Sequence, residues 1–169
     1  LEREYGAKAL YENGLAVTTT LDPALQKLAN GAIERGLRAY DKRHAWRKPT
    51  RNVTAEKKTV DTWRDDRWKS AIRPGDVVPA VVETLGKPAP NGAARLIVGP
   101  YHADLTRDAF AWTRKATAAD LVSAGDIVDV QVKSVDEETK TLTIASIEQT
   151  PLAEAAMVVL DNHTGQVLA

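Results

Sequence analysis

The chain has 169 residues, 43% of them hydrophobic and 27% charged, with equal numbers of basic and acidic residues (23 each) and no cysteine. That length and balance suit one generous domain or two small ones with a packed core, and they exclude a disordered chain, a disulfide framework, thiol catalysis and thiolate metal sites. The neutrality is uneven: residues 1–70 carry 15 basic and 10 acidic side chains, leaving residues 71–169 net acidic, which argues against one continuous basic groove.

No apolar run reaches the roughly 18 residues that span a bilayer, and the first residues lack the apolar core of a signal peptide. Leu1 at the start and the apolar Val167-Leu168-Ala169 at the end give the expectation of a fragment.

Residues 2–12 are helix-compatible and are expected to stop at Asn13-Gly14. A strand is predicted over residues 15–21, where Leu15, Val17, Thr19 and Leu21 alternate with smaller residues. Asp22-Pro23 opens a helix, the Asp as N-cap and the Pro at the first helical position. Leu25, Leu28, Ala32, Gly36 and Tyr40, with Ile33 and Leu37 beside them, carry it to about residue 40. The predicted organisation is therefore a helix-strand-helix segment at 1–40, a basic connector at 41–72, a barrel at 73–150 and a hairpin at 151–169.

The connector has no sustained period but holds Trp46, Trp63 and Trp68, more aromatic area than a solvated linker keeps, so it is expected to lie on the domain surface. From Arg73-Pro74-Gly75-Asp76 onward the pattern is β. Strands are expected at 77–85, with Pro79 placing it at an edge or bulge, at 94–98 and at 101–105; the cluster at 87–92 is a turn. Thr117-Ala118-Ala119-Asp120 has the form of a capping box opening a helical turn. A hairpin follows, with strands at 126–135 and 139–148, and Ile127, Val130, Val132 and Ile144 are assigned to the core. Five strands with a helical turn between the third and fourth outline an OB-like barrel, although an SH3-like barrel has nearly the same strand count. The fold class is mainly β with α: a five-stranded OB-like barrel inserted between a strand-helix segment and a terminal β-hairpin. The first strand of that hairpin, residues 155–161, is apolar on both faces and belongs in the middle of a covered sheet that a fragment of this length is too short to complete; pairing with residues 15–21 is expected.

The sequence offers no catalytic constellation. None of Ser70, Ser123, Ser134 and Ser146 has a lysine three residues on, and neither Lys58-Thr59 nor Lys140-Thr141 is followed by glycine, so S-x-x-K, S-x-N and K-T-G are all missing. His44, His102 and His163 stand far apart without metal-ligand spacing, and the glycines stand singly. Asp65-Asp66 and Glu137-Glu138 read as solvated turns. No catalytic, metal-binding or cofactor-binding residue is assigned. Trp112, Trp63 and Trp68, with Arg64 and Arg67, form the candidate interaction surface, since interleaved aromatic and basic side chains can stack a sugar or a base. The competing assignment is structural: a barrel plug or a seat for the connector.

Two segments resemble a known family. Residues 14–26 (GLAVTTTLDPALQ) resemble the G-L-x-V-x-T-T-x-D-x-x-L-Q near the start of the transpeptidase portion of class A penicillin-binding proteins. Residues 155–169 (AAMVVLDNHTGQVLA) resemble the strand-turn-strand A-x-V-x-L-D-x-x-T-G-x-V-x-A that opens their penicillin-binding domain. Tyr40-Asp41-Lys42-Arg43-His44 resembles a Y-D-x-R-H, and Ala111-Trp112 a recurrent A-W, of the subgroup carrying an OB-type insertion between these segments. The resemblance implies a bifunctional peptidoglycan synthase on the periplasmic face of the bacterial inner membrane, acting on peptidoglycan precursor and glycan strands and inhibited by β-lactams. Membrane attachment would come only through a part N-terminal to this chain, and an outer-membrane lipoprotein regulator is the protein partner it offers. Within that protein, the chain would be a non-catalytic regulatory or spacer domain without nucleic acid as a partner. The alternative is an independent OB-fold module binding glycan or single-stranded nucleic acid.

Overall fold

The computed structural model describes residues 2–12, 16–86 and 94–169. The chain divides into two compact units, Leu1–Arg35 with Ala155–Ala169 and Gly36–Glu154. The turn expected at Asn13-Gly14, the start of the strand expected at Leu15 and the turn cluster at 87–92 lie outside the described residues.

In the first unit, helices α1 (Glu2–Tyr5) and α2 (Ala7–Tyr11) are separated at Gly6, whose φ of 81° breaks the helical path. Helix α3 (Pro23–Lys42) begins where Asp22 Oδ1 accepts from the amides of Ala24 and Leu25 at 2.8 and 3.2 Å, the cap the Asp-Pro pair predicts. The shielded stripe differs from the expected one: Ala29 is buried and Leu25, Ile33 and Leu37 are half-buried, whereas Leu28 and Ala32 are exposed. Residues spaced strictly by four form the protected row.

The strand predicted at 15–21 is not formed over its described residues, 16–21. The Thr19 hydroxyl competes for the Leu21 amide at 3.4 Å, the kind of local side-chain bond that diverts a backbone donor from a ladder. This segment does meet the C-terminal one: the Asp22 amide donates to Leu168 O at 2.9 Å and the Thr20 hydroxyl to Val167 O at 2.5 Å, but they share no sheet. The terminal hairpin is held by one bridge, Leu160 to Val167, and by bonds between Val159 and Ala169, and between Val159 and Leu168, all 2.8 Å. The apolar side chains of its first arm stay exposed in this chain. Met157, Val158 and Leu160 are 46%, 66% and 54% exposed.

The second unit is a closed five-stranded barrel in the order β1-β2-β3-β5-β4, formed by β1 (Val77–Leu85), β2 (Ala94–Val98), β3 (Tyr101–Leu105), β4 (Ile127–Asp136) and β5 (Thr141–Glu148). All pairs are antiparallel except β3–β5, which runs His102 to Thr141 through Asp104 to Thr143. That closure, with helical turns joining β3 to β4, is the OB-like outline expected. Irregularities between Val82 and Thr84 in β1 and around Val132 in β4 bend the strands far enough to close. Pro79 sits where β1 pairs β4 through Val77–Val81 but has not yet reached β2, so its missing N–H costs no ladder bond.

Alternation along β4 sends Val128, Val130 and Val132 into the core with Leu96, Leu105, Leu142, Ile144 and Ile147. Ile127 has the opposite parity and belongs to a second cluster outside the barrel wall, with Val53, Trp63 and Val81. The core assignment of Ile127 is corrected accordingly. Before the predicted capping-box turn, now seen at Ala118–Asp120 with the Thr117 amide on Asp120 Oδ2 at 2.9 Å, the chain forms α4 (Arg107–Phe110) and a 3₁₀ turn at Ala111–Thr113. Phe110 fills the barrel end.

A buried clamp and the candidate interaction surface

The connector packs as a layer on the outer wall of the barrel. Asn52 forms a bridge with Asp126, and the Val53 amide donates to Gly125 O at 2.9 Å. Gly125 has φ +83°, and a Cβ there would meet Asn52 Oδ1 at 3.0 Å, so glycine permits both the turn and the close passage of the connector. Val53 and Trp63 are its apolar anchors. Its buried residues, Asp41, Val53, Trp63 and Ile72, are too far apart to make a helical or strand period, which is why the sequence reads as a linker.

Of the five candidate surface residues, Trp63 is 2% exposed, edge-on to Trp68 at 4.9 Å between centroids, and donates its indole N–H to Glu56 Oε2 at 3.0 Å. The Arg51 and Trp63 hydrogen bonds hold the Glu56 carboxyl below the usual range. Trp68 donates to Pro79 O at 2.8 Å. Arg64 bonds the carbonyls of Asp61 and Trp63 at 2.6 and 2.7 Å, and Arg67 reaches Asp129 Oδ1 at 3.1 Å and Val77 O at 3.3 Å. Trp112 stands apart from these four: half-buried, it donates to Ile147 O at 3.0 Å and packs edge-on against Trp46 at 5.7 Å. Trp63 is buried, Trp68 and Trp112 are half-buried with their N–H groups on backbone carbonyls, and Arg64 and Arg67 are exposed.

The structure gathers a different set, at the point where the chain enters and leaves the barrel unit. Asp41, 4% exposed, accepts a bidentate pair from Arg47, with Nη1 to Oδ1 and Nη2 to Oδ2 both at 2.9 Å, and a bond from Gln149 Nε2 at 2.6 Å. The same Gln149 amide group donates to Ala45 O at 3.0 Å, while its oxygen accepts from the Arg47 amide at 3.0 Å. Arg47 Nη2 continues to Thr150 O at 2.7 Å. Burial tends to raise the Asp41 carboxyl pKa, but the bonds from Arg47, Gln149 and the Leu152 amide, with the charge of Arg47, outweigh it and hold the group below the usual carboxylate range.

Beside it Glu148, 3% exposed, is salt-bridged to Lys42, which also donates to Ser146 Oγ at 2.9 Å, and Arg38 lies 3.8 Å from its second oxygen. Lys42 Nζ stands 5.5 Å over the Trp112 ring. Residues 38–47 are thereby tied to residues 146–152 by bonds that each use at least one side chain. The two sides are about 100 or more positions apart in sequence, and of the clamp residues Asp41 and Lys42 fall in the Y-D-x-R-H-like stretch. Among the described residues no three His, Asp or Glu gather to hold a metal, and no helix is long and apolar enough to cross a membrane. The clamp holds its charges in place by pairing them.

Comparison with known proteins places these features. No family model matches the chain. It is 28% identical to penicillin-binding protein 1A of Rickettsia typhi over 162 residues, covering 94% of this chain and 19% of that protein. Against penicillin-binding protein 1A of Vibrio cholerae it is 26% identical over 179 residues, covering 98% and 21%. This chain is similar to one segment of the class A penicillin-binding proteins. The crystal structure of penicillin-binding protein 1A from Haemophilus influenzae shares its fold, with a TM-score of 0.69 at 22% identity over 99% of this chain and 23% of that one. The chain spans about a fifth of the length of these penicillin-binding proteins, and the similarity runs through the barrel as well as the two flanking segments.

Proposed function

We propose that this chain is a non-catalytic spacer and regulatory segment of a bifunctional peptidoglycan glycosyltransferase and D,D-transpeptidase working on the periplasmic face of the inner membrane. The observation that carries the reading is the clamp: residues on either side of the barrel, Asp41 and Lys42 before it and Glu148 and Gln149 after it, are bonded to one another. A domain inserted into another with its ends joined adds a body to the chain without spreading the flanking segments apart. The similarity to penicillin-binding protein 1A over most of the chain supports the cell-wall setting, and an outer-membrane lipoprotein regulator is the partner this setting favours. A fluorescent β-lactam tests the division of labour. The 169-residue chain should stay unlabelled while the full-length protein is labelled at a serine outside it; stoichiometric labelling of Ser70, Ser123, Ser134 or Ser146 would contradict the reading.

A further inference from the structure

Helix α3 ends on a strained residue. After Lys42 the Arg43 amide donates to Tyr40 O at 3.1 Å and the His44 amide to Asp41 O at 2.9 Å, tightening the last turn, and Ala45 then takes a φ of 76°. A left-handed residue just past a helix is normally glycine, because a Cβ there crowds the backbone. Ala45 carries that Cβ and is exposed, and among the described residues its amide meets no backbone carbonyl. Neither packing nor the usual capping bond offsets the strain.

What holds Ala45 is distant in sequence. Gln149 Nε2 donates to Ala45 O at 3.0 Å, and the two residues that follow are pinned as well, the Trp46 indole N–H to Leu121 O at 3.1 Å and the Arg47 amide to Gln149 Oε1 at 3.0 Å. A strained conformation persists only where its surroundings over-determine it. Without those bonds the local chemistry favours more helix. Residues 43–48 (RHAWRK) contain no glycine and no β-branched residue, and Arg43, Arg47 and Lys48 bring positive charge to the negative end of the helix. Pro49 sets the limit, since it disfavours the helical region at Lys48.

We propose that residues 43–47 are a two-state latch: closed, with Ala45 left-handed and the clamp bonded, or open, with α3 longer by about one turn and Trp46 and Arg47 withdrawn from Leu121 and Gln149. The two states compete for the same backbone groups. In the longer helix the Asp41 carbonyl passes from the His44 amide to the Ala45 amide, and Ala45 returns to negative φ. Opening the clamp and lengthening α3 are therefore one event. The inference rests on the clamp geometry and not on the cell-wall reading, so its test can fail while that reading stands.

The test is NMR on the 169-residue chain. Gln149→Ala removes the bonds that hold Ala45 and should move the ¹³Cα shifts of residues 43–46 to helical values, with exchange of the Trp46 indole N–H faster by about tenfold. Ala45→Gly relieves the crowding and weakens the longer helix, so it should slow the same indole exchange by at least about fivefold. Introduced together with Gln149→Ala, it should return the shifts of residues 43–46 toward coil. The Ala45→Gly result decides the matter even if Gln149→Ala misfolds. Faster indole exchange in Ala45→Gly, or shifts at residues 43–46 that stay non-helical in a folded Gln149→Ala chain, would overturn the proposal.

Discussion

The β4–β5 hairpin and the hairpin of residues 155–169 start from similar chemistry. Both are rich in valine, and both turn on an aspartate that caps its own loop: Asp136 Oδ1 accepts from Glu138 and Thr139 at 3.0 Å each, and Asp161 Oδ1 from His163 and Thr164 at 2.7 and 3.2 Å. Yet the first is a ladder running from Asp129–Glu148 to Asp136–Thr141, and the second has the single bridge Leu160–Val167. The turns are equivalent, so they do not decide the outcome. Lateral partners do: β4 has β1 on its other side and β5 has β3, while residues 155–161, among those described, pair with the return arm of their own hairpin and with no second strand. Apolar residues make a strand when something covers them.

The largest effect that could break this comparison is in the side chains. Ile147→Ala should cost about 2–5 kcal/mol in urea denaturation, since Ile147 is fully buried in the barrel core. Leu160→Ala should stay within about 0.5 kcal/mol, as for exposed positions generally. Equal losses would show that the terminal hairpin is as cooperative as the barrel.

The clamp extends the contrast, because it closes directly behind β5. Asp41→Ala strips Arg47 of its partner and should cost about 2–3 kcal/mol, below the range for fully buried pairs, because Arg47 keeps 34% of its side chain in solvent. The folded Asp41 carboxyl titrates below its unfolded counterpart, so its stabilisation is complete above about pH 4 and fades as pH falls through the lower folded value. Asp41→Asn should therefore flatten the acid limb of stability against pH. An unchanged acid limb would remove Asp41 from the account.

The smallest effect sharpens the comparison at the turns. Asp136→Ala should lower the barrel's urea midpoint, with a loss that shrinks at acid pH because the Thr139 and Glu138 bonds hold the Asp136 pKa down. Asp161→Ala removes the same kind of bonds, whose backbone donors His163 and Thr164 lower the Asp161 pKa. It should leave the barrel's urea midpoint unmoved and show only as faster amide exchange at His163 and Thr164. A shared midpoint shift would contradict the difference drawn here.

How much of this was legible in the sequence follows the same physics. All five barrel strands and the α3 cap were readable because alternation, turn residues and the Asp-Pro pair are local signals. The strand at 15–21 was misread because alternation does not reveal whether a lateral partner is there to pair with it. Ile127 was placed in the wrong core because the sequence does not show the connector that covers the outer wall. The clamp was invisible: Asp41 and Gln149 are 108 positions apart, and neither residue type marks a buried network by itself. Trp63 drew notice for its aromatic area, but its depth depends on Val53 and Ile127 arriving beside it.

The central claim is that the barrel is a non-catalytic body whose ends are joined by the clamp, and that it acts on synthesis through that junction. The direct measurement is made on the full-length protein carrying Asp41→Ala and Gln149→Ala, comparing β-lactam acylation with the ratio of cross-linking to glycan polymerisation in vitro. The account predicts acylation within about twofold of the parent and a ratio altered by about fivefold, the scale of a typical coupling between sites. An unaltered ratio with the clamp shown open by amide exchange at Gln149, or acylation abolished in a folded protein, would contradict it.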